Sequence, residues 1–290
     1  MRDWKKEREA SDPEIDGEEL ERLAREWDWH VRRAAANNPA APMVILGELA
    51  RDRVQWVREA VAASPQADGE ILDLLAEDGD GFVRAAVALN PRTSPEVLSD
   101  LAEDETMDFD YSLSKNRYIV MEAAAKNPKS PEEVIRSLAD HGDEGVRAAV
   151  ASNPTVPEDV LFDRRIDPSW SVRTAAARSP QATVELLAYL AADRIQDVRA
   201  AVAMNKKTSA STLASLAADR DVEIRAAVAS NPIADPATLV ALSGDWAWKV
   251  REAVAQNPST PEEVVRALVG DGDQSVKKAA RERLEGGIRT

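Results

Sequence analysis

The chain has 290 residues, of which 44% are hydrophobic and 31% are charged, and its 37 basic and 52 acidic side chains give a formal charge of −15. Because it contains no cysteine, disulfide frameworks, thiolate zinc sites and Cys-ligated iron–sulfur clusters are excluded. The acidic balance also argues against ordinary binding to nucleic-acid phosphates, which requires clustered Lys and Arg.

The first 30 residues are highly charged and place two leucines, Leu20 and Leu23, where later segments carry core positions. We therefore expect residues 1–30 to form an N-terminal capping segment. The start of the chain is too charged for a secretory signal, and no stretch approaches the roughly 18 apolar residues of a membrane span. These features predict a cytoplasmic protein that does not enter a membrane.

From residue 31 onward the chain repeats one unit that opens with Val-Arg or a close variant. The openings are Val31, Val57, Val83, Val120, Val146, Val172, Val198, Ile224, Val250 and a truncated tenth at Val276. The step is 26 residues except for 37 residues between Val83 and Val120, which places an 11-residue insertion within 103–119. A fixed period of this length is typical of stacked repeats, so we predict nine repeats over 31–275 and a C-terminal cap over 276–290.

Each repeat contains two predicted helices and no predicted strand. In the first helix, Ala and usually Val follow the opening Val at helical spacing, as in Val146, Ala149 and Val150. An Asn or Ser and then Pro end this helix, because Asn tolerates the left-handed conformation and Pro cannot continue a helix. The second helix is amphipathic and starts most clearly at 130–133 and 260–263, where Ser or Thr followed by Pro-Glu-Glu predicts a capping box.

One such unit cannot bury enough apolar surface to offset the entropy lost when 26 residues are ordered. Neighbouring repeats must therefore share their cores, and the predicted fold class is an all-α solenoid of short helical repeats.

The repeated pattern Val-Arg-x-Ala-Val-Ala-x-Asn-Pro, followed by Pro-Glu-x-Leu-x-x-Leu-Ala-x-Asp, resembles the leucine-rich repeat variant family. The resemblance covers about 245 residues in nine copies, the best of them starting at Val146 and Val250. It implies a right-handed superhelix in which α-helices alternate with short helices that are possibly 3₁₀. The Cys-rich iron–sulfur segment of the family's founding members has no counterpart in a chain without Cys, so no cofactor is expected.

The spacing of Asp and Arg is also similar to that of HEAT repeats. Asp stands five residues before most openings, as in Asp193 and Asp219, and Arg stands one residue after, as in Arg199 and Arg225. We expect a ladder of partly buried ion pairs that fixes the stacking register. The alternative is a comb of Arg side chains that binds an acidic ligand.

No motif for catalysis is present. Nucleotide-binding loops and the Gly-x-Ser-x-Gly elbow are missing, and neither His30 nor His141 is followed by Glu, unlike the His-Glu pairs of di-iron enzymes built on HEAT repeats. His141 replaces a ladder Asp and is interpreted as a polar substitute rather than a metal ligand. We therefore predict a protein that is not an enzyme and binds no metal.

Seven tryptophans are many for a chain with only 13 aromatic residues, the others being three Tyr and three Phe. Trp27 and Trp246 share one repeat position, and Trp29, Trp170 and Trp248 share another. Shared positions favour indoles wedged between adjacent repeats, and a recognition role is the alternative. Trp56 lies outside both positions and is a candidate binding residue.

Departures from the repeat pattern are candidate functional positions. The insertion places Phe109, Tyr111 and Tyr118 among the acidic residues Asp108 and Asp110, and it is either a solvated loop or part of a binding face.

Three further departures follow the insertion. Met121 replaces a ladder Arg, Arg164 stands where other repeats have a core Leu and is followed by Arg165, and Lys206-Lys207 replaces the Pro after Asn205. A buried Arg is costly unless it is paired, so the helix at Arg164 must end early, turn its face or meet carboxylates.

Two classes of function are compatible with these features. The favoured hypothesis is a monomeric, non-enzymatic scaffold whose curved acidic surface binds a protein or peptide with a basic patch. The alternative is a nucleic-acid-related role, as an acidic mimic of DNA or as a relative of HEAT-like DNA glycosylases.

Overall fold

In the computed structural model, residues 2–110 and 115–286 are described, with the backbone only for residues 109, 110, 115 and 116. The helices are α1 Trp4–Ala10, α2 Gly17–Ala24, α3 Trp29–Asn37, α4 Met43–Leu49, α5 Gln55–Ala63, α6 Gly69–Ala76, α7 Gly81–Leu89, α8 Pro95–Leu101, α9 Ile119–Lys126, α10 Glu132–Ala139, α11 Glu144–Ser152, α12 Glu158–Asp163, α13 Trp170–Arg178, α14 Val184–Leu190, α15 Gln196–Met204, α16 Ala210–Leu216, α17 Val222–Ser230, α18 Pro236–Leu242, α19 Trp248–Gln256, α20 Glu262–Leu268 and α21 Gln274–Gly286. A 3₁₀ turn covers Arg164–Ile166, and the strands are β1 Asp108–Asp110 and β2 Lys115–Arg117. Within these ranges no helix has the length and apolar character needed to cross a membrane.

The helices alternate as the repeat predicts. The first helix of each repeat carries the Val-Arg dipeptide, and the second helix follows the Asn-Pro turn. The chain divides into two compact units, Met1–Thr155 and Val156–Thr290. Within each unit, every first helix packs against the first helix of the next repeat. The predicted α-solenoid of short helical repeats is thus confirmed.

The second helices are short α-helices of six to eight residues. In the described part of the chain, 3₁₀ geometry is confined to the turn Arg164–Ile166 at the end of α12. The core is formed by the opening Val or Ile of each repeat together with the Ile and Leu of the second helices, which are buried except for Leu74 at 39% exposed.

The Asn that ends most of the first helices joins one repeat to the one before it. The Nδ2 group of Asn153 donates to the carbonyls of Ala125 and Asn127 at 2.7 and 2.9 Å, and its Oδ1 accepts from the amide of Thr155 at 2.7 Å. Asn153 is fully buried, with φ −65° and ψ 130°. The prediction of a left-handed Asn is therefore wrong, because the side chain satisfies carbonyls left free at the end of the preceding helix.

Hydroxyl side chains after the Asn have a different role from the predicted capping box. Thr260 Oγ1 donates to the carbonyl of Val254 in the first helix of its own repeat at 2.6 Å, and Ser130 Oγ donates to Ala124 in the same way. The second helix is capped instead from the following repeat position. In α14 this residue is Thr183, whose hydroxyl accepts a hydrogen bond from the amide of Leu186 at 3.2 Å. The hydroxyls at 130 and 260 thus close the turn between the two helices.

The expected ladder of ion pairs is present. An Arg Nε and an Asp Oδ2 twenty residues later lie 2.6–2.7 Å apart, in the pairs 32–52, 58–78, 84–104, 173–193, 199–219, 225–245 and 251–271. Each Arg also donates to a carbonyl six residues earlier, as Arg199 does to Asp193 at 2.8 Å. Each guanidinium therefore binds a carbonyl in the turn before its own first helix and an Asp carboxylate in the turn before the next first helix.

At one step of the ladder both members of the pair are replaced. Met121 and His141 are separated by the same 20 residues as the other pairs. Met121 is buried, and His141 Nδ1 accepts from the amide of Asp143 at 3.1 Å, as the Asp side chains do elsewhere. Their joint replacement leaves no buried charge without its partner. The interpretation of His141 as a polar substitute agrees with this geometry.

The ladder predicts how stability depends on pH. Burial would raise the pKa of Asp219, but bonds from Arg199 and the Asp221 amide outweigh burial, and the pKa is lowered. The other ladder carboxylates named above also have lowered pKa values. An unfolded Asp has a pKa of about 3.9, so on acidification the unfolded chain takes up protons first.

We therefore expect the free energy of unfolding to be nearly constant from about pH 8 to 5 and to fall below about pH 4, as the ladder is protonated. Urea unfolding followed by circular dichroism at a series of pH values measures this. Unchanged stability down to about pH 3 would contradict a contribution from the ladder.

The insertion departs from the all-helical expectation. β1 and β2 form an antiparallel pair in which Asp108 faces Arg117 and Asp110 faces Lys115. An inserted segment has no equivalent in neighbouring repeats to pack against, so its backbone groups pair within the segment. Residues 107–114 alternate apolar and polar side chains, which is a strand signal that the prediction of helices from the repeat period overlooked.

Candidate functional site

The insertion is attached to the repeats at its first end by a ladder pair. Arg84 of α7 binds Asp104, with Nε and Oδ2 2.6 Å apart, and its Nη2 donates to Thr106 Oγ1 at 2.8 Å. The Thr106 amide in turn donates to Asp104 Oδ1 at 3.0 Å. The chain is therefore fixed up to the residue before β1.

Strand β1 then lies against the start of α7. Gly81 stands at the repeat position that carries Trp29, Trp170 and Trp248 elsewhere. A Cβ at Gly81 would overlap the carboxylate of Asp108, so the glycine makes room for the hairpin. Asp108 is half-buried, and its Oδ2 has no hydrogen-bond partner. Burial raises the pKa of Asp108, Asp80 and Asp104 add to the rise, and Arg84 opposes it.

The second end of the hairpin is held by a buried ion pair. Arg117 Nε donates to Glu122 Oε1 at 3.0 Å, and its Nη2 contacts Oε2. Glu122 is 3% exposed, and Gly145 at the start of α11 leaves the space that its carboxylate fills. Tyr118 packs edge-on against His141, with ring centroids 4.9 Å apart. Both ends of the hairpin are therefore tied to the repeats.

A groove lies beside this attachment, between α5 and α7. Its walls include Glu59, Phe82, Ala86 and Leu89, and its volume is about 320 Å³. We call it the α5–α7 groove. Leu89 is 57% exposed, and Trp56, one helical turn before Glu59 on α5, is 43% exposed. The groove is thus an open apolar surface with one carboxylate in its wall.

That carboxylate is Glu59, whose Oε2 is buried without a hydrogen-bond partner. Burial raises its pKa, Arg33 opposes the rise, and Asp80 adds to it. Asp80 therefore raises the pKa of both Glu59, in the groove wall, and Asp108, in the hairpin. A cationic group entering the groove would meet the half-buried side chain of Glu59.

The structure brings some of the predicted site residues together and places others elsewhere. Trp56, Asp108 and Tyr118 lie in the first unit on or beside the helices that hold the hairpin. For Phe109 and Asp110 only the backbone in β1 is described. Tyr111 lies outside the described residues.

The basic candidates all lie in the second unit. As expected, α12 ends early at Asp163, and the buried Arg164 pairs with Asp167 at 3.8 Å. The Arg165 guanidinium lies 4.1 Å from the centre of the Phe162 ring. Lys206 and Lys207 are exposed in the turn after α15. The structure thus gives Arg164 a structural role and leaves the two lysines at the surface.

The tryptophans are at the surface rather than wedged between repeats. Trp4, Trp27, Trp56, Trp170, Trp246 and Trp248 are 43–79% exposed, and Trp29 is half-buried and stacks on His30 with ring centroids 3.8 Å apart. The interpretation of shared positions as indoles wedged between repeats is therefore wrong for Trp27, Trp170, Trp246 and Trp248. They are available for contact with a partner.

Sequence reasoning missed Glu59. Its repeat position, two residues after the opening Val, holds Arg, Ala, Thr or Glu in different repeats, so the residue type alone carries no signal. The available signal was the neighbouring repeat, which places Phe82 and Leu89 opposite Glu59, whereas the residues opposite Glu252 are Ser275 and Glu282.

The family described as leucine rich repeat variant matches residues 81–105 and 248–273. No curated protein matches the chain. One similar solved structure is described as a leucine-rich repeat variant with a novel repetitive structural motif, with 23% identity, coverage of 94% of this chain and 89% of that chain, and a TM-score of 0.44.

Two other solved structures are an engineered protein, with 17% identity, 92% and 98% coverage and a TM-score of 0.34, and the Escherichia coli protein YibA, with 13% identity, 100% and 99% coverage and a TM-score of 0.36. Scores this low carry no argument about function. The two matched segments coincide with repeats of the 26-residue period, one of them the repeat of α7 that holds the hairpin. The resemblance seen in the sequence is confirmed for two repeats of this chain, which match the leucine-rich repeat variant family.

Proposed function

We propose that the chain is a non-enzymatic repeat scaffold that binds a basic segment of a partner protein or peptide. The binding surface consists of the hairpin and the exposed faces of α5 and α7 in the first unit. The observation that supports this most strongly is the attachment of the insertion at both ends, through Arg84–Asp104 and Arg117–Glu122. A segment held in this way loses little conformational entropy when it binds, which favours affinity.

The charge and residue types of the surface support a basic partner. The formal charge of −15 attracts cations over a distance, and Glu59, Asp80 and Asp108 concentrate acceptors near the hairpin. Exposed Trp56 and the aromatic residues of the insertion are of the type that dominates binding energy at interfaces. Anionic partners would be repelled by the same surface.

The hairpin is tested by replacing its aromatic residues. We expect Phe109→Ala with Tyr111→Ala to weaken capture of the partner at least roughly tenfold, because aromatic anchors at interfaces contribute about 2 kcal/mol or more each. Thermal unfolding should change little, since neither residue belongs to the repeat core. The measurement is quantitative capture from lysate, with the bound protein identified by mass spectrometry.

The matched control is Tyr189→Ala, which removes an exposed aromatic side chain from the second unit. It should leave capture unchanged. Equal capture by the hairpin variant and the original chain would remove the hairpin from the proposed surface, and a captured partner without a basic segment would contradict the charge argument.

A further inference from the structure

The α5–α7 groove differs from the equivalent surfaces of other repeats in the same chain. Glu122 shares the position of Glu59, but its carboxylate is bound by Arg117. Glu252 also shares that position, and the residues that would face it are Ser275 and Glu282 instead of Phe82 and Leu89. At Glu59, therefore, a carboxylate oxygen without a hydrogen-bond donor is found together with apolar groove walls.

The shape and chemistry of the groove match a chain with an apolar stem and a cationic end. Phe82, Ala86 and Leu89 offer apolar surface, and Leu89 is 57% exposed, so part of this surface is uncovered. Glu59 lies in the groove wall, and its buried Oε2 receives no hydrogen bond. A lysine side chain carries four methylene groups and three N–H donors, and such stems cover apolar surface while the ammonium meets an acceptor.

The ring of Phe82 in the groove wall adds to this match, because ammonium groups are attracted to aromatic faces. Burial of Glu59 and the neighbouring Asp80 both disfavour its ionised form in the empty groove, and a bound cation would relieve this.

We propose that the α5–α7 groove binds one lysine side chain of the partner, with its stem against Phe82 and Leu89 and its ammonium at Glu59. This inference deepens the proposed function, on which it rests, by naming the group of the basic segment that is recognised. Arginine fits less well, because its planar guanidinium binds best to both oxygens of a carboxylate. With Oε2 of Glu59 buried, only the other oxygen can face a ligand, which suits a single ammonium donor.

The test uses n-butylammonium as the probe of a lysine side chain. The carboxyl carbon of Glu59 is followed by NMR in protein labelled at glutamate, and its signal is assigned with Glu59→Gln. We expect a saturable shift with a dissociation constant in roughly the millimolar range, as suits so small a ligand. n-Butanol, which has the same stem without the charge, should give no saturable shift.

Three variants decide whether the site is the one described. Phe82→Ala should weaken n-butylammonium binding severalfold, whereas Glu252→Gln, at the same repeat position in α19, should leave it unchanged. Glu59→Gln should abolish probe-dependent shifts of neighbouring amides and should not lower the melting temperature, because the ionised Glu59 is disfavoured in the fold. A non-saturable shift, or amide shifts that persist in Glu59→Gln, would overturn the lysine site.

The probe experiment requires no partner, so its failure is distinguishable from failure of the proposed function. If n-butylammonium does not bind while the hairpin variant loses capture, the scaffold stands and the lysine site is wrong. If n-butylammonium binds as expected while the hairpin variant retains capture, the lysine site is supported and the hairpin surface is wrong.

Discussion

Replacing Asn153 by alanine is expected to cost about 3 kcal/mol of the free energy of unfolding in the first unit. The side chain makes four bonds of 2.7–2.9 Å in a fully buried position, two of them to carbonyls at the end of α9. Each buried group left without a partner costs about 1–3 kcal/mol. Because neighbouring repeats stabilise each other, the loss should appear as faster amide hydrogen exchange in both α9 and α11.

The control is the adjacent residue, Ser152→Ala. Ser152 is exposed, and its hydroxyl bonds only to Ala148 within its own helix, at 2.8 Å. A change of less than about 0.5 kcal/mol is expected there. If both variants unfold alike, the side chain of Asn153 does not join the two repeats.

The second large effect concerns the ladder. Arg199→Met alone should cost about 3 kcal/mol, because Asp219 would remain buried without its guanidinium. Combining it with Asp219→His reproduces the pair found naturally at Met121 and His141. The double variant should therefore recover about 2 kcal/mol of the summed cost of the two single variants. Urea unfolding of the four proteins of this cycle measures the recovery.

An exposed ion pair in the same unit provides the comparison. Arg266 and Glu262 pair within α20, and their side chains are 69% and 65% exposed. The equivalent cycle, Arg266→Met with Glu262→His, should show a coupling of only about 0.3–0.5 kcal/mol. Similar coupling in the two cycles would mean that burial does not strengthen the ladder.

The sequence predicted most of the fold because the repeat pattern is a local signal. The opening Val and the Ala residues after it mark a helix face wherever they occur, and the Asp–Arg spacing predicted ion pairs that are present. The pattern could not show that Asn153 reaches back to Ala125, because a bond between adjacent repeats depends on how the helices stack. It also could not show that Met121 and His141 are the two halves of one replaced pair.

The candidate site was predicted less completely, for a physical reason. Trp56 and Asp108 were named because each breaks the repeat pattern, and both lie beside α7 or on its neighbour α5. Glu59 breaks no pattern, and its unusual environment comes from Phe82 and Leu89 in the next repeat together with burial of its carboxylate. The hairpin was missed because helices were predicted from the repeat period, to which the insertion does not conform, although residues 107–114 alternate apolar and polar side chains as strands do.

Zero-length cross-linking with a carbodiimide tests the binding surface most directly, because the reagent joins carboxylates to amines that touch them. Partner lysines should be joined mainly to carboxylates of the first unit around the hairpin and the α5–α7 groove, including Glu59, Asp80 or Asp108. Glu59→Gln should remove the groove cross-link, while Glu252→Gln should change nothing. Cross-links confined to the second unit, between Val156 and Thr290, would contradict the account.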